Sequence, residues 1–180
     1  EGHADLIRFL LSRNADVNLR NSNGLTALSR AVATNQLECV GALLAAGADV
    51  NSQDGNGRSM VHSAVVGGHA DVLVKLVESG ANLNLKDDNN YTPLHLCGKL
   101  NNKNMCEILL HGGADPRISD GSNFLPLHRA AAHDSVDVIE SILNRDPESI
   151  DYLDSKRRRP LHVACLIVRA SDTDTTDTRG

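Results

Sequence analysis

The sequence predicts an all-α fold, a solenoid of repeated helix-turn-helix units. A six-residue pattern, seen most fully in Thr92-Pro93-Leu94-His95-Leu96-Cys97, occurs five times, and the steps between copies are 33, 33, 33 and 34 residues. Hydrophobic residues make up 41% of the 180 residues, but aromatic residues make up only 2%. Short stacked helices filled by Leu, Val and Ala need few large rings. The chain therefore corresponds to about five units of a solenoid.

The six-residue pattern predicts the start of the first helix in each unit. Thr92 suits the N-cap, where its hydroxyl accepts from a free backbone N–H, and Pro93 suits the first helical position. His95 lies three residues after the cap, where a neutral imidazole can bond back to the cap and across to a neighbouring loop. The residues predicted to cap helices in this way are Thr26, Ser59, Thr92, His62, His95, His128 and His162.

A second helix follows in each unit. In one unit it opens at Gly68-His69-Ala70-Asp71, and an apolar stripe continues through Val72, Leu73, Leu76 and Val77. Gly80 ends this helix, because the residue after the C-terminus often needs a positive φ. Asn14 stands in the corresponding place of the first unit, and Asn tolerates that conformation best among other residues.

A 33-residue period with a Thr-Pro-Leu-His-x-Ala core resembles the ankyrin repeat family over nearly the whole chain. The resemblance implies short β-hairpin fingers between units and a concave face. The predicted repeat domain spans residues 1–170, and residues 171–180 form a Thr/Asp-rich tail that we expect to be disordered. Within the domain, full repeats are predicted at 21–53, 54–86, 87–119 and 120–153, with partial repeats at 1–20 and 154–170.

Charge and composition exclude several classes. A net charge of −5 argues against a general nucleic-acid binder. No apolar run reaches transmembrane length, so no membrane partner is expected. The cysteines (Cys39, Cys97, Cys106 and Cys165) form no CxxC pair and indicate an intracellular, reducing location, most simply the cytoplasm, with the nucleus as the alternative.

Catalytic motifs are absent from the sequence. There is no G-x-S-x-G, H-E-x-x-H or P-loop pattern, so we expect no enzyme activity, cofactor or small-molecule substrate. The recurring histidines could be read as metal ligands. Stacked repeats should hold them about 10 Å apart, however, whereas zinc needs ligands that converge on one point. We therefore expect one capping imidazole per repeat and no metal site.

The placement of the aromatic residues is unusual. Tyr91 and Phe124, two of only four aromatic residues, precede the capping position on adjacent repeats, where the resemblance implies an outward-facing finger. Aromatic and Arg side chains dominate binding hot spots. Incidental exposure is the alternative. The candidate partner-binding residues are Leu25, Arg58, Tyr91, Phe124, Arg158, Lys99, His133 and Tyr152.

One basic run, Lys156-Arg157-Arg158-Arg159, replaces the usual finger and its capping Thr. It could be a nuclear-import signal, a contact for an acidic partner, or a solvated turn.

The resemblance implies a monomeric scaffold that binds another protein through its fingers and concave helix face. Two alternatives stay open. The array could be the regulatory or substrate-recruiting arm of an enzyme whose catalytic domain lies outside this sequence, or a nuclear adaptor that uses the basic run.

Overall fold

A computed structural model describes the backbone of residues 2–171 and the side chains of residues 3–166. Ten α-helices occur in this part of the chain. They are α1 (Gly2–Ser12), α2 (Ala27–Ala33), α3 (Leu37–Ala45), α4 (Met60–Gly67), α5 (Ala70–Glu78), α6 (Pro93–Leu100), α7 (Lys103–His111), α8 (Pro126–Ala132), α9 (Val136–Arg145) and α10 (Pro160–Ser171). Apart from Ser171, which ends α10, the predicted tail lies outside the described residues.

The helices form two parallel rows. The first helices of the repeats, α2, α4, α6, α8 and α10, pack each against the next, and so do the second helices, α1, α3, α5, α7 and α9. The first helices α2, α4, α6 and α8 also pack against the second helix that follows each of them. These contacts confirm the predicted all-α solenoid of helix-turn-helix units.

The core lies between the two rows and repeats every 33 residues. The equivalent positions Leu28, Val61, Leu94 and Leu127 are buried in the first helices, and Leu43, Leu76, Leu109 and Ile142 are buried in the second helices. Small residues at Ala64, Cys97 and Ala130 let the helices approach closely. Apolar burial of this kind supplies most of the stability of short helices.

Gly98 permits a close approach between α6 and α8 in the first row. A Cβ added at Gly98 would lie 2.9 Å from the backbone nitrogen of Ala130 and 3.1 Å from the carbonyl oxygen of Pro126. The Gly98 carbonyl also accepts a buried hydrogen bond of 2.7 Å from the Ser135 hydroxyl. Any side chain at this position would therefore push two helices apart.

The turns after the second helices adopt the predicted left-handed conformation. Asn14 has φ 64°, and Gly47, Gly80 and Gly113 have φ values of 85°, 77° and 95°. The fourth repeat differs, because a 3-10 helix at Pro147–Asp151 follows α9 in place of a glycine turn. This 3-10 helix accommodates the residue by which that repeat is longer.

The fingers between repeats are tight turns more than β-hairpins. In each finger the first residue donates its backbone N–H to the carbonyl of the fifth, as Asp54 does to Arg58 at 2.9 Å. Among the described residues the only isolated bridge joins Gln53 and Ser59. The predicted hairpins are therefore reduced to single turns.

Candidate functional site

In each finger, the carboxylate or amide side chain of the first residue accepts two backbone hydrogen bonds from the same turn. The Oδ1 atom of Asp87 accepts the backbone N–H groups of Asn89 and Tyr91, both at 2.9 Å. Asp54, Asp120 and Asp154 make the same two bonds in their fingers, as does Asn21 in the first. The side chain thus fixes the position of the residue that precedes the helix cap. Sequence analysis missed this role, although the 33-residue recurrence of Asp was visible.

The recurring histidines lie at the caps of the first helices. His62 Nδ1 accepts the Ser59 backbone N–H at 3.2 Å and lies 2.8 Å from the Ser59 hydroxyl. His95 repeats this arrangement with Thr92, at 3.1 and 2.8 Å. His128 and His162 accept only a backbone N–H, from Leu125 and Arg159. In the first repeat Thr26 caps α2 alone, by accepting from the Ser29 N–H at 3.1 Å.

The opposite nitrogen of three of these rings reaches the next repeat. His62 Nε2 lies 2.8 Å from the Tyr91 carbonyl oxygen, and His95 Nε2 lies 2.9 Å from that of Phe124. His128 Nε2 lies 3.1 Å from the Arg158 carbonyl. Because a carbonyl oxygen only accepts, Nε2 must hold the proton, and the ring is the neutral Nε2–H form. Each of these three imidazoles therefore joins one helix cap to the following finger, and we call these contacts the histidine ties.

Burial keeps these imidazoles neutral. It lowers the pKa of His95 from 6.5 to about 4, although the hydrogen bond to Phe124 opposes this shift. Burial likewise lowers the pKa of His62 and of His128. A protonated ring would lose its Nδ1 acceptor function and place a charge in the core. Among the described residues, no three His, Cys, Asp or Glu side chains converge as metal ligands.

Tyr91 and Phe124 are half-buried and do not project freely into solvent as the sequence suggested. Tyr91 stacks on His95 with ring centroids 5.9 Å apart, and Phe124 stacks on His128 at 5.4 Å. The Arg129 guanidinium lies 4.9 Å from the Tyr91 ring centre and 4.7 Å from that of Phe124. We call Tyr91, Arg129 and Phe124 the ring stack. The Tyr91 and Phe124 rings pack against His95 and His128, and part of each aromatic ring stays exposed to solvent.

Arg129, which sequence analysis did not single out, is held by a buried carboxylate. Its Nε and Nη2 atoms lie 2.7 and 2.6 Å from Asp120 Oδ2. In the last finger, Arg158 makes the corresponding bond to Asp154 Oδ2 at 2.7 Å and lies over the Phe124 ring. Such charge-assisted bonds orient a guanidinium firmly. The guanidinium groups of Arg129 and Arg158 are therefore held in one orientation by contacts within the chain.

The equivalent oxygen of Asp87 has no donor among the described residues. Leu96 occupies the place of Arg129 in this repeat, and Asp87 Oδ2 is buried without a hydrogen bond. The nearest cationic group is Arg58, whose Nε lies 4.0 Å away. Asp120 and Asp154 are thus each paired with an arginine, whereas the Oδ2 atom of Asp87 has no hydrogen-bond donor among the described residues.

The remaining candidate residues do not form one cluster. Lys99 and His133 are exposed at the ends of α6 and α8. The charges of Lys99 and Arg129 add to burial in lowering the pKa of His133, so these three groups lie near one another. Leu25 is half-buried in the first finger. Tyr152 lies apart, beneath the Arg117 guanidinium at 5.7 Å.

The basic run does not form one free cationic surface. Arg158 pairs with Asp154, and Arg159 Nε lies 3.2 Å from Asp151 Oδ1. Lys156 and Arg157 are exposed, and Arg157 takes the left-handed turn conformation with φ 58°. Two of the four charges of the run are therefore paired within the chain.

Three asparagines tie the turns after the second helices together, which sequence analysis also missed. Asn18 Oδ1 accepts the backbone N–H of Asp49 at 2.8 Å, and Asn51 Oδ1 accepts that of Asn82 at 2.7 Å. Asn84 bonds Asp115 in the same way. The 33-residue spacing of these asparagines was the available signal.

The chain matches the model of one known protein family. The family model for ankyrin repeats, in three copies, matches residues 1–54 and 43–120. The chain belongs to the ankyrin repeat family. No curated protein matches it. Ankyrin repeats are generally protein–protein interaction modules and are typically non-catalytic.

The ankyrin repeats of this chain contain no helix, within the described residues, that is long and apolar enough to cross a membrane. The four cysteines are free thiols, and three of them are buried. The arrangement offers fixed aromatic and cationic groups on one side of the array, which suits recognition of another molecule's surface.

Proposed function

We propose that this ankyrin array binds a partner protein with its finger face. We define the finger face as the finger turns together with the exposed residues of the first helices α2, α4, α6, α8 and α10. The observation that supports the proposal is the ring stack, in which the Arg129 guanidinium is held between Tyr91 and Phe124. Tyr and Arg are enriched at hot spots, and side chains that are already ordered lose little entropy on binding.

Because the Tyr91 and Phe124 rings are half-buried, these two positions are unsuitable for a test of binding alone. Tyr91→Ala or Phe124→Ala would remove contacts with the histidine ties, so both should lower stability as well as binding. Exposed positions are better probes, because a change there leaves the core intact. Lys99, on α6, and His133, the C-cap residue of α8 at the edge of the finger face, are such positions, whereas Lys103 and His111 are exposed on α7 in the other row.

The test is site-specific photo-crosslinking in the native cell. A photo-crosslinking amino acid is introduced singly at positions 99 and 133, and at positions 103 and 111 as matched controls. We expect the same partner protein to crosslink from positions 99 and 133 and much less from the controls. Crosslinking confined to positions 103 and 111 would show that binding uses the second-helix row, and the proposal would be wrong.

The nuclear-adaptor alternative gains no support from the geometry, because Arg158 and Arg159 are engaged in ion pairs. An import receptor that reads an extended basic peptide would need to unfold this finger. The regulatory-arm alternative concerns sequence beyond these residues.

A further inference from the structure

The two rows of helices differ in charge. The first helices α2, α4, α6, α8 and α10 contain no Asp or Glu, and their fixed charges are cationic, including Arg30, Lys99 and Arg129. Every second helix contains at least one Asp or Glu, such as Glu38, Glu107 and Glu140. A chain with a net charge of −5 therefore keeps acidic residues off one complete row.

The finger aspartates restore little negative charge to this side, because among the described finger residues only the Asp88 carboxylate is exposed, and Asp54 is half-buried. Asp87, Asp120 and Asp154 are buried and bond the backbone of their own turns. Asp120 and Asp154 are also paired with arginines. Exposed cations remain on the fingers, among them Lys156 and Arg157.

Most cations of the second helices are paired, although Arg145 in α9 makes no ion pair with a described residue, whereas two exposed cations of the first helices are unpaired. In the second helices, Lys75 pairs with Glu78, and Lys103 lies 3.8 Å from Asp137. Arg30 and Lys99, both exposed, make no ion pair with any residue that the structure describes. Unpaired cations on a surface where they outnumber the exposed carboxylates create a positive potential that attracts an acidic partner.

Resting on the proposed function above, we propose that the finger face recognises an acidic segment of its partner protein. Carboxylates of the partner would pair with Arg30, Lys99 and Lys156, while apolar atoms would contact the exposed edges of the ring stack. A nucleic acid is the less suitable polyanion, because its binding rests on a series of phosphate contacts, whereas the unpaired cations of this face are few and lie on separate repeats.

The experiment measures fluorescence anisotropy of the whole chain with three labelled probes of equal length, a glutamate decamer, a lysine decamer and a dT decamer. The finger-face variant combines Arg30→Gln, Lys99→Gln and Lys156→Gln. The control variant combines Lys75→Gln, Lys103→Gln and Arg145→Gln in the second-helix row. Both variants lose the same charge, so a difference between them reports where the charge lies.

We expect the glutamate decamer to bind best at low salt, and the finger-face variant to weaken its binding about tenfold. The control variant should change it less than about twofold, and binding should decline with added salt. Equal losses in both variants, or tighter binding of the lysine or dT decamer, would overturn the inference. Absence of glutamate binding, together with crosslinking from positions 99 and 133, would reject the acidic preference while the proposed binding face stands.

Discussion

Acidification should destabilise the array through its buried histidine ties. The pKa of His95 is lowered to about 4 in the folded chain, and its ordinary value is 6.5. Burial is the main cause, and the Arg129 and Lys86 charges act in the same direction, whereas the Phe124 carbonyl and the Asp120 charge oppose it. Because the unfolded chain takes up the proton first, stability must fall as the pH drops below 6.5.

The size of the effect follows from the two pKa values. Lowering the pH from about 7.5 to about 5 should remove about 2 kcal/mol of unfolding free energy through His95 alone. The loss is complete once the pH is below the folded pKa of about 4. The pKa values of His62 and His128 are lowered too, so both add losses of the same sign.

The assay is urea denaturation followed by circular dichroism across this pH range, on the wild type and on His95→Gln. Gln is an ordinary residue at this position of a capping box, and it cannot take up the proton. The variant should be less stable at neutral pH and should lose about 2 kcal/mol less on acidification. His111→Gln, which changes an exposed ring on α7, is the control. Parallel pH profiles for the wild type and His95→Gln would refute the reasoning.

Two further predictions concern packing and buried charge. Gly98→Ala should destabilise by about 1–3 kcal/mol, because its Cβ would meet the Ala130 backbone. Gly41→Ala, where a Cβ meets nothing within 4 Å, should stabilise by about 0.5–1 kcal/mol. Thermal melts of both variants test this, and equal shifts would contradict it. Asp120→Asn should cost about 1–3 kcal/mol, because it weakens a buried ion pair, whereas Asp87→Asn should be neutral or stabilising, because it removes an uncompensated charge. Urea midpoints compare the two, and a larger loss at Asp87 would be inconsistent with the described contacts.

The sequence predicted what depends on local pattern. The helix order, the positive φ at Gly80 and Asn14, and the position of His95 at a helix cap all follow from a short motif repeated at a fixed period. Each is determined by residues within a few positions of one another. One recurring unit therefore describes most of the array.

The parts that sequence reasoning did not reach depend on neighbouring repeats. The outward projection expected for Tyr91 did not take account of Arg129, a residue of the next repeat whose guanidinium lies over the ring. The ties made by Asn51 likewise join residues 31 positions apart. Such contacts depend on how adjacent repeats stack, and the motif alone does not specify that geometry.

The histidine ties also bear on how the array can change in length. His62 and His95 reach carbonyls 29 residues ahead, and His128 reaches one 30 residues ahead at a slightly longer distance. Every such tie joins adjacent units only. Duplication or deletion of a whole unit therefore reproduces the same bonds at each new junction. The fourth repeat shows that one inserted residue can also be absorbed, by the 3-10 helix at Pro147–Asp151. We therefore expect the array to accept the duplication or deletion of whole repeats, which would lengthen or shorten the proposed finger face in steps of one repeat.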